Sequence, residues 1–215
     1  FLDDNTRNLV SRALEQDRAG LEVARNHGVL EAEINSMINL GLDHSGSGNT
    51  NCALAALQDA EALLRRDEWL RWRFDLRRQE ALTRYWVEEG DLSEAQTHAR
   101  ALLEAARHYE AHKYVALAHM LRAEIAMAGG HPESAEIEIE AARDELERYP
   151  APLVAWKAHG LRARVYSSRG KGVAAEKAYA AARDVARNIA DHIADSELRQ
   201  RFEVLVSRSL GVTLV

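Results

Sequence analysis

The stretch "EGDLSEAQTHA" (89–99) decides the fold of this 215-residue chain, because its pattern recurs. A glycine, a polar helix start and then small residues stand in the same order in three other places. These are "SGNTNCALAAL" (47–57), "GGHPESAEIEI" (129–139) and "RGKGVAAEKAY" (169–179). The turn glycines Gly48, Gly90, Gly130 and Gly170 are spaced 42, 40 and 40 residues apart. Five residues after each comes an alanine: Ala53, Ala95, Ala135 and Ala175. Seven further on stand Ala60, Leu102, Ala142 and Ala182, and seven before each glycine stand Gly41, Thr83, Ala123 and Ala163. A fixed period of this length marks a repeat architecture.

Chain physics explains those residue types. Each unit reads as helix, tight turn, helix. A glycine at the end of the first helix takes a left-handed conformation that other residues resist. An N-cap or first-turn signal for the second helix follows: Thr50 or Asn51, Ser93, and Pro132 with Glu133. The small residues fall where two antiparallel helices approach closely. The spacing predicts A helices over about 29–44, 68–88, 112–128 and 153–168, and B helices over about 51–66, 93–109, 133–148 and 172–190. Residues 21–41 also align without gaps on 103–123, so 5–26 reads as the B helix of a preceding half unit. The stretch 196–210 reads as a capping helix, with Leu198, Phe202 and Leu205 on one face. The expectation is one all-α domain over 1–215: repeats at 29–66, 68–109, 112–148 and 153–190, the half unit before and the cap after. The segment 43–51 is expected to be a long polar turn, looser than the other three.

These residues resemble the tetratricopeptide repeat (TPR) family, whose signature joins Leu-Gly in helix A, a glycine turn and Ala-x3-aromatic in helix B. The matches are Leu40-Gly41 with Gly48 and Ala53, "GDLSEA" (90–95), "GHPESA" (130–135), and Ala175 with Tyr179 and Ala182. The aromatic position holds Leu57, Ala99 and Ile139 in the other units. The long period resembles the helical arrays of bacterial signal-transduction ATPases and related transcriptional activators. The resemblance implies a right-handed α-solenoid of antiparallel helix pairs that binds protein or peptide on its concave face. It implies a regulatory scaffold within a larger signalling protein; the alternative is a ligand-sensing or self-association module that controls an attached ATPase, cyclase or DNA-binding domain, its groove holding a small molecule or, as a homodimer, a second copy. Carried over residue by residue, the partner-binding positions are Arg77, Glu80 and Arg84 in the second repeat. They are Leu117, Met120, Glu124 and Met127 in the third, and Lys157 and Arg164 in the fourth. The cations would grip acidic groups of an amphipathic partner, with the leucine and methionines as an apolar strip between them. Arg84 and Arg164 have a plainer alternative, pairing with neighbours such as Glu80 and Glu124.

Composition narrows the remaining classes. Apolar residues make up 47%, the formal net charge is −6 and the pI is near 5.9, which argues against a generic nucleic-acid surface. The run 65–78 interleaves six arginines with Trp69, Trp72 and Phe74, but Asp67, Glu68 and Asp75 lie within it. Its tryptophans are expected to pack between repeats. The lone Cys52 cannot form an intrachain disulfide and fits a reducing compartment, hence the cytoplasm. No apolar run reaches membrane-span length. The start "FLDDN", without Met, reads as a piece excised from a longer protein.

Several chemical readings fail on their parts. A phosphate loop at 41–51 would need a Lys where Asn49 stands, and a strand before it. Glu104, His108 and His112 have helical spacing for a metal, yet 109–113 is the expected bend, so no cofactor or metal is assigned. No nucleophile elbow occurs, Cys52 has no assignable base, and Glu138 and Glu140 read as a solvated face. The chain is therefore expected to be no enzyme.

Overall fold

The computed structural model describes residues 4–66 and 71–211, with side chains from residue 11 onward. Trp69, Asp67 and Glu68 lie outside the described residues. Ten helices and no strand occur among those described. They are α1 (Asp4–His27), α2 (Leu30–Gly46), α3 (Thr50–Leu64), α4 (Arg71–Glu89) and α5 (Leu92–His108), then α6 (His112–Ala128), α7 (Pro132–Arg148), α8 (Pro152–Ser168), α9 (Gly172–Asp191) and α10 (Ser196–Leu210). The chain divides into two compact units, Phe1–Tyr109 and Glu110–Val215. In the first, α1 packs on α2, α2 on α3 and α4, and α4 on α5. In the second, α6 packs on α7 and α8, α8 on α9, and α9 on α10. Consecutive pairs that stack on their neighbours make a helical solenoid repeat.

The repeat registers carry the packing. The four turn glycines have φ of 76°, 80°, 75° and 69°, each in the left-handed region. Ala53, Ala95, Ala135 and Ala175 are buried, as are Ala60, Leu102, Ala142 and Ala182. Gly41, Thr83, Ala123 and Ala163 are buried opposite them. Between α1 and α2, Gly28 has φ 65°, and Glu110, which the gapless alignment places in the same register, has φ 51°. Glu110 is the one non-glycine with positive φ among the described residues.

One detail differs from the sequence expectation and two sharpen it. The polar run "LDHSG" (42–46) is helical, so the turn is confined to Ser47, Gly48 and Asn49. The Asn49 amide bonds back to the His44 carbonyl at 2.8 Å, which closes the turn as tightly as in the third and fourth repeats. Asp91 caps α5, accepting from the Ser93 and Glu94 amides at 3.1 Å, with Ser93 in the first turn. Asn49 stands at the cap of α3, with Thr50 and Asn51 already inside the helix.

Helix α10 closes unit 2. Val206 and Leu210 are buried with Trp156 of α8 and with Ala182 and Ala186 of α9. Phe202 meets the Trp156 ring edge-on at 6.1 Å. Leu198 and Leu205, at 56% and 53% exposure, stay on its solvent side.

Candidate partner-binding faces

In unit 1 the A helices bring Arg77, Glu80 and Arg84 onto one face of α4. Arg84 pairs with Glu80 at 3.3 Å, so the plainer alternative holds for that residue. Arg77 is arranged differently. Its guanidinium donates to Asn35 Oδ1 and, at 2.9 Å, to Asn39 Oδ1, both on α2. Two neutral amides thus fix its orientation without cancelling its charge, and no carboxylate pairs with it among the described residues. Asn39 in turn donates through Nδ2 to Asp17 Oδ1 of α1 at 3.0 Å. Asp17 is also a neighbour of Asp43, one turn beyond Asn39 on α2. Burial and then this neighbouring carboxyl push Asp43 up to about 6.

Asn39, Asp17 and Asp43 were not among the sequence-read positions. The signal was present in two forms. Asn35, Asn39 and Asp43 are spaced four apart and share a helix face. The alignment of 21–41 on 103–123, carried back, puts Asp17 where B helices bear Leu57, Ala99, Ile139 and Tyr179. A carboxylate in that packing register marks a polar junction.

In unit 2 the expected apolar strip is absent as an open surface. Leu117 and Met120 are buried at 6% and 3% exposure in a core with Ile139, Ala158 and Leu161. Helix α8 covers the side of α6 that bears them. Met127 packs at the edge of this core and Glu124 is half-buried. Lys157 and Arg164 are exposed on α8, with the Lys157 ammonium 5.7 Å from the Trp156 ring centre. Gly160, between them, lies under Leu210 of α10.

Glu138 and Glu140 are not a solvated face. Glu138 accepts from Arg122 at 2.7 Å and lies 2.7 Å from His119 Nδ1. Glu140 accepts from Arg162 and from the Tyr166 hydroxyl, both at 2.6 Å. The His119–Glu138 bond is one of two in the same register, because His98 Nδ1 lies 2.7 Å from Gln79 Oε1 in the preceding repeat. In the fourth repeat these positions hold His159 and Ala178, so His159 has no such partner. It lines a cavity of about 70 Å³ between α7 and α8, floored by Ile139, Leu146 and Ala158 and rimmed by Arg143 and Arg162. Burial, with the Arg162 charge, holds the imidazole below its ordinary range.

The basic run is largely consumed internally. Arg65 and Arg78 pair with Glu61, Arg73 with Glu31, and Arg71 donates to the Leu64 carbonyl. Trp72 is 39% exposed and rests on Tyr109, ring centres 5.2 Å apart, instead of filling a seam. His112, considered above as a metal ligand, stacks on Tyr149 at 3.4 Å and bonds Glu145 at 2.7 Å. Among the described residues no helix is long and apolar enough to cross a membrane.

The chain matches no protein-family model, and no curated protein matches it.

Proposed function

We propose that this protein is a non-enzymatic helical-repeat scaffold that captures an acidic protein or peptide segment on its A-helix faces. The observation that carries this reading is Arg77: a guanidinium oriented by Asn35 and Asn39, with its charge uncompensated. Pre-orientation reduces the entropy lost on gripping a carboxylate, and the planar fork suits that geometry. Lys157 and Arg164 offer exposed cations on α8 in unit 2. The partner's apolar contacts are not Leu117 and Met120, which are spent in the core. Within the proposal the repeats regulate a larger bacterial signalling protein of the TPR-like kind, in the cytoplasm, where the exposed Cys52 thiol stays reduced.

The test is a titration with acidic amphipathic peptides, comparing Arg77→Glu, Arg164→Glu and Arg84→Glu. Arg77→Glu is expected to weaken binding most, because Arg84 is already held by Glu80. Far-ultraviolet circular dichroism of each variant should remain that of the parent. Equal binding by the parent and Arg77→Glu would sink the assignment.

A further inference from the structure

The two units treat one repeat register differently, and in unit 2 the difference leaves a hole. Between α3 and α4 of unit 1 the register is filled: Arg78 is buried there, donating to Glu61 at 3.2 Å and to Asp75 at 2.8 Å. Counted from the turn glycines, the Arg78 and Asp75 positions of α8 hold Ala158 and Ala155. Both alanines line the cavity of about 70 Å³ between α7 and α8, beside Ile139 and Leu146. An apolar cavity of about 150 Å³ takes benzene, and a single water needs about 10–15 Å³. The space in unit 2 is thus too large for one water and too small for a whole aromatic ring. It suits a compact branched aliphatic group.

His159 supplies the polar handle. Its counterparts in the two preceding repeats are engaged, since Gln79 meets His98 at 2.7 Å and His119 meets Glu138 at 2.7 Å. Opposite His159 in that register stands Ala178, which has no polar side-chain atom to offer. The imidazole has no hydrogen-bond partner among the described residues, and neither of its nitrogens is sealed in protein. A molecule in the cavity can therefore reach them. Burial, with the Arg162 charge, favours the neutral ring, which carries one N–H donor and one bare acceptor nitrogen.

The rim is already balanced. Arg162 donates to Glu140 at 2.6 Å, and Arg143 is paired with Glu140, Asp144 and Glu147. An anion would have to displace Glu140 from Arg162, and a cation would face two guanidinium groups. A hydroxyl does neither, because it can give a hydrogen to the bare nitrogen or accept one from the N–H. We propose that this cavity binds a small neutral alcohol, its branched aliphatic body on Ile139, Leu146 and Ala158 and its hydroxyl on the His159 imidazole. The site lies off the cation face of α8, because Lys157 stands about 200° around the helix from His159. It is independent of the capture proposed above.

The experiment titrates the full chain, carbon-13 labelled at methyl groups and histidine rings, with isobutanol, and in parallel with isovalerate and isobutylamine. Isobutanol is expected to give saturating shifts at His159, Ile139 and Leu146, with a dissociation constant of about 1–10 mM for so few atoms. The two charged analogues should bind at least about tenfold more weakly. Ala155→Leu fills the space and should abolish saturation. His159→Phe keeps the bulk of the ring but loses the hydrogen bond, and should weaken isobutanol about fivefold. Circular dichroism checks that both variants fold; if Ala155→Leu does not, His159→Phe decides. Shifts that stay linear up to the onset of unfolding overturn the site, as does saturation unchanged in Ala155→Leu. Isobutanol binding unchanged in His159→Phe overturns the hydroxyl contact, and isovalerate or isobutylamine binding as tightly as isobutanol overturns the alcohol class. None of these failures touches peptide capture, which the Arg77→Glu titration judges separately.

Discussion

Gly41 of α2 lies directly under Leu57 of α3: a Cβ at residue 41 would sit 2.7 Å from both Cγ and Cδ2 of Leu57. The same sequence register pairs Thr83 with Ala99 and Ala123 with Ile139, so the bulkier leucine on helix B goes with the glycine on helix A in this first repeat. Gly41→Ala is expected to destabilise the protein by about 1–3 kcal/mol through overpacking. That outweighs the ~1 kcal/mol that alanine ordinarily gains over glycine inside a helix. Adding Leu57→Ala should reverse the sign of the Gly41→Ala step. Urea unfolding of the four members of this cycle reads the coupling; strict additivity would refute it.

The inter-helix joints make a second prediction. Glu110 has φ 51° where its counterpart Gly28 has φ 65°. A glutamate in the left-handed region carries a cost of roughly 1–2 kcal/mol that glycine escapes. Glu110→Gly is therefore expected to stabilise the chain, less the greater chain entropy that glycine brings to the unfolded state. Gly90→Ala at φ 80° should do the reverse. Thermal melts of both variants check the opposite signs.

How far the sequence was legible follows from these residues. Turn glycines and helix-contact alanines were readable because each answers to a local constraint: one backbone conformation, or one close approach within a single helix pair, as between Gly41 and Leu57. The helical state of Asp43, His44 and Ser45 was not readable, since polar residues there look like a turn until Ser45 finds Glu88 on another helix. The burial of Leu117 and Met120 was hidden for a related reason. Helix α8, one repeat away, covers them, and a single-repeat pattern does not show what the next repeat will cover. Arg77 was legible as a groove position, while the amides that orient it emerge only when α2 and α4 are side by side.

The Glu138 cluster predicts a pH response. Burial acts to raise the Glu138 carboxyl, but the His119 hydrogen bond and the Arg122 charge outweigh it and hold the group below its ordinary range. A folded value below the unfolded one means that the stabilisation is complete above the usual glutamate range. It is lost as pH falls through the folded value. Glu138→Gln should thus cost about 1–3 kcal/mol at neutral pH, as expected for a charged hydrogen-bond acceptor removed from a half-buried site. The difference from the parent should shrink in acid. A gap that stays constant from pH 7 to pH 3 would show that the carboxylate charge contributes nothing there.

Gly160 offers a contrast with Gly41 that separates rigid from yielding contacts. A Cβ at residue 160 would lie 2.6 Å from Leu210 Cδ2 alone, the far end of a flexible side chain on the last helix. Leu57, by contrast, is fully buried mid-helix and would be struck at two atoms. Gly160→Ala should therefore cost less than Gly41→Ala, because Leu210 can rotate away. Leu210→Ala is the more damaging change at this end, at roughly 2–5 kcal/mol for a buried leucine. It also opens the Trp156 ring to water. Fluorescence with Trp156→Phe as the reference should show a red shift confined to Trp156. An unshifted spectrum would mean that α10 does not shield that ring.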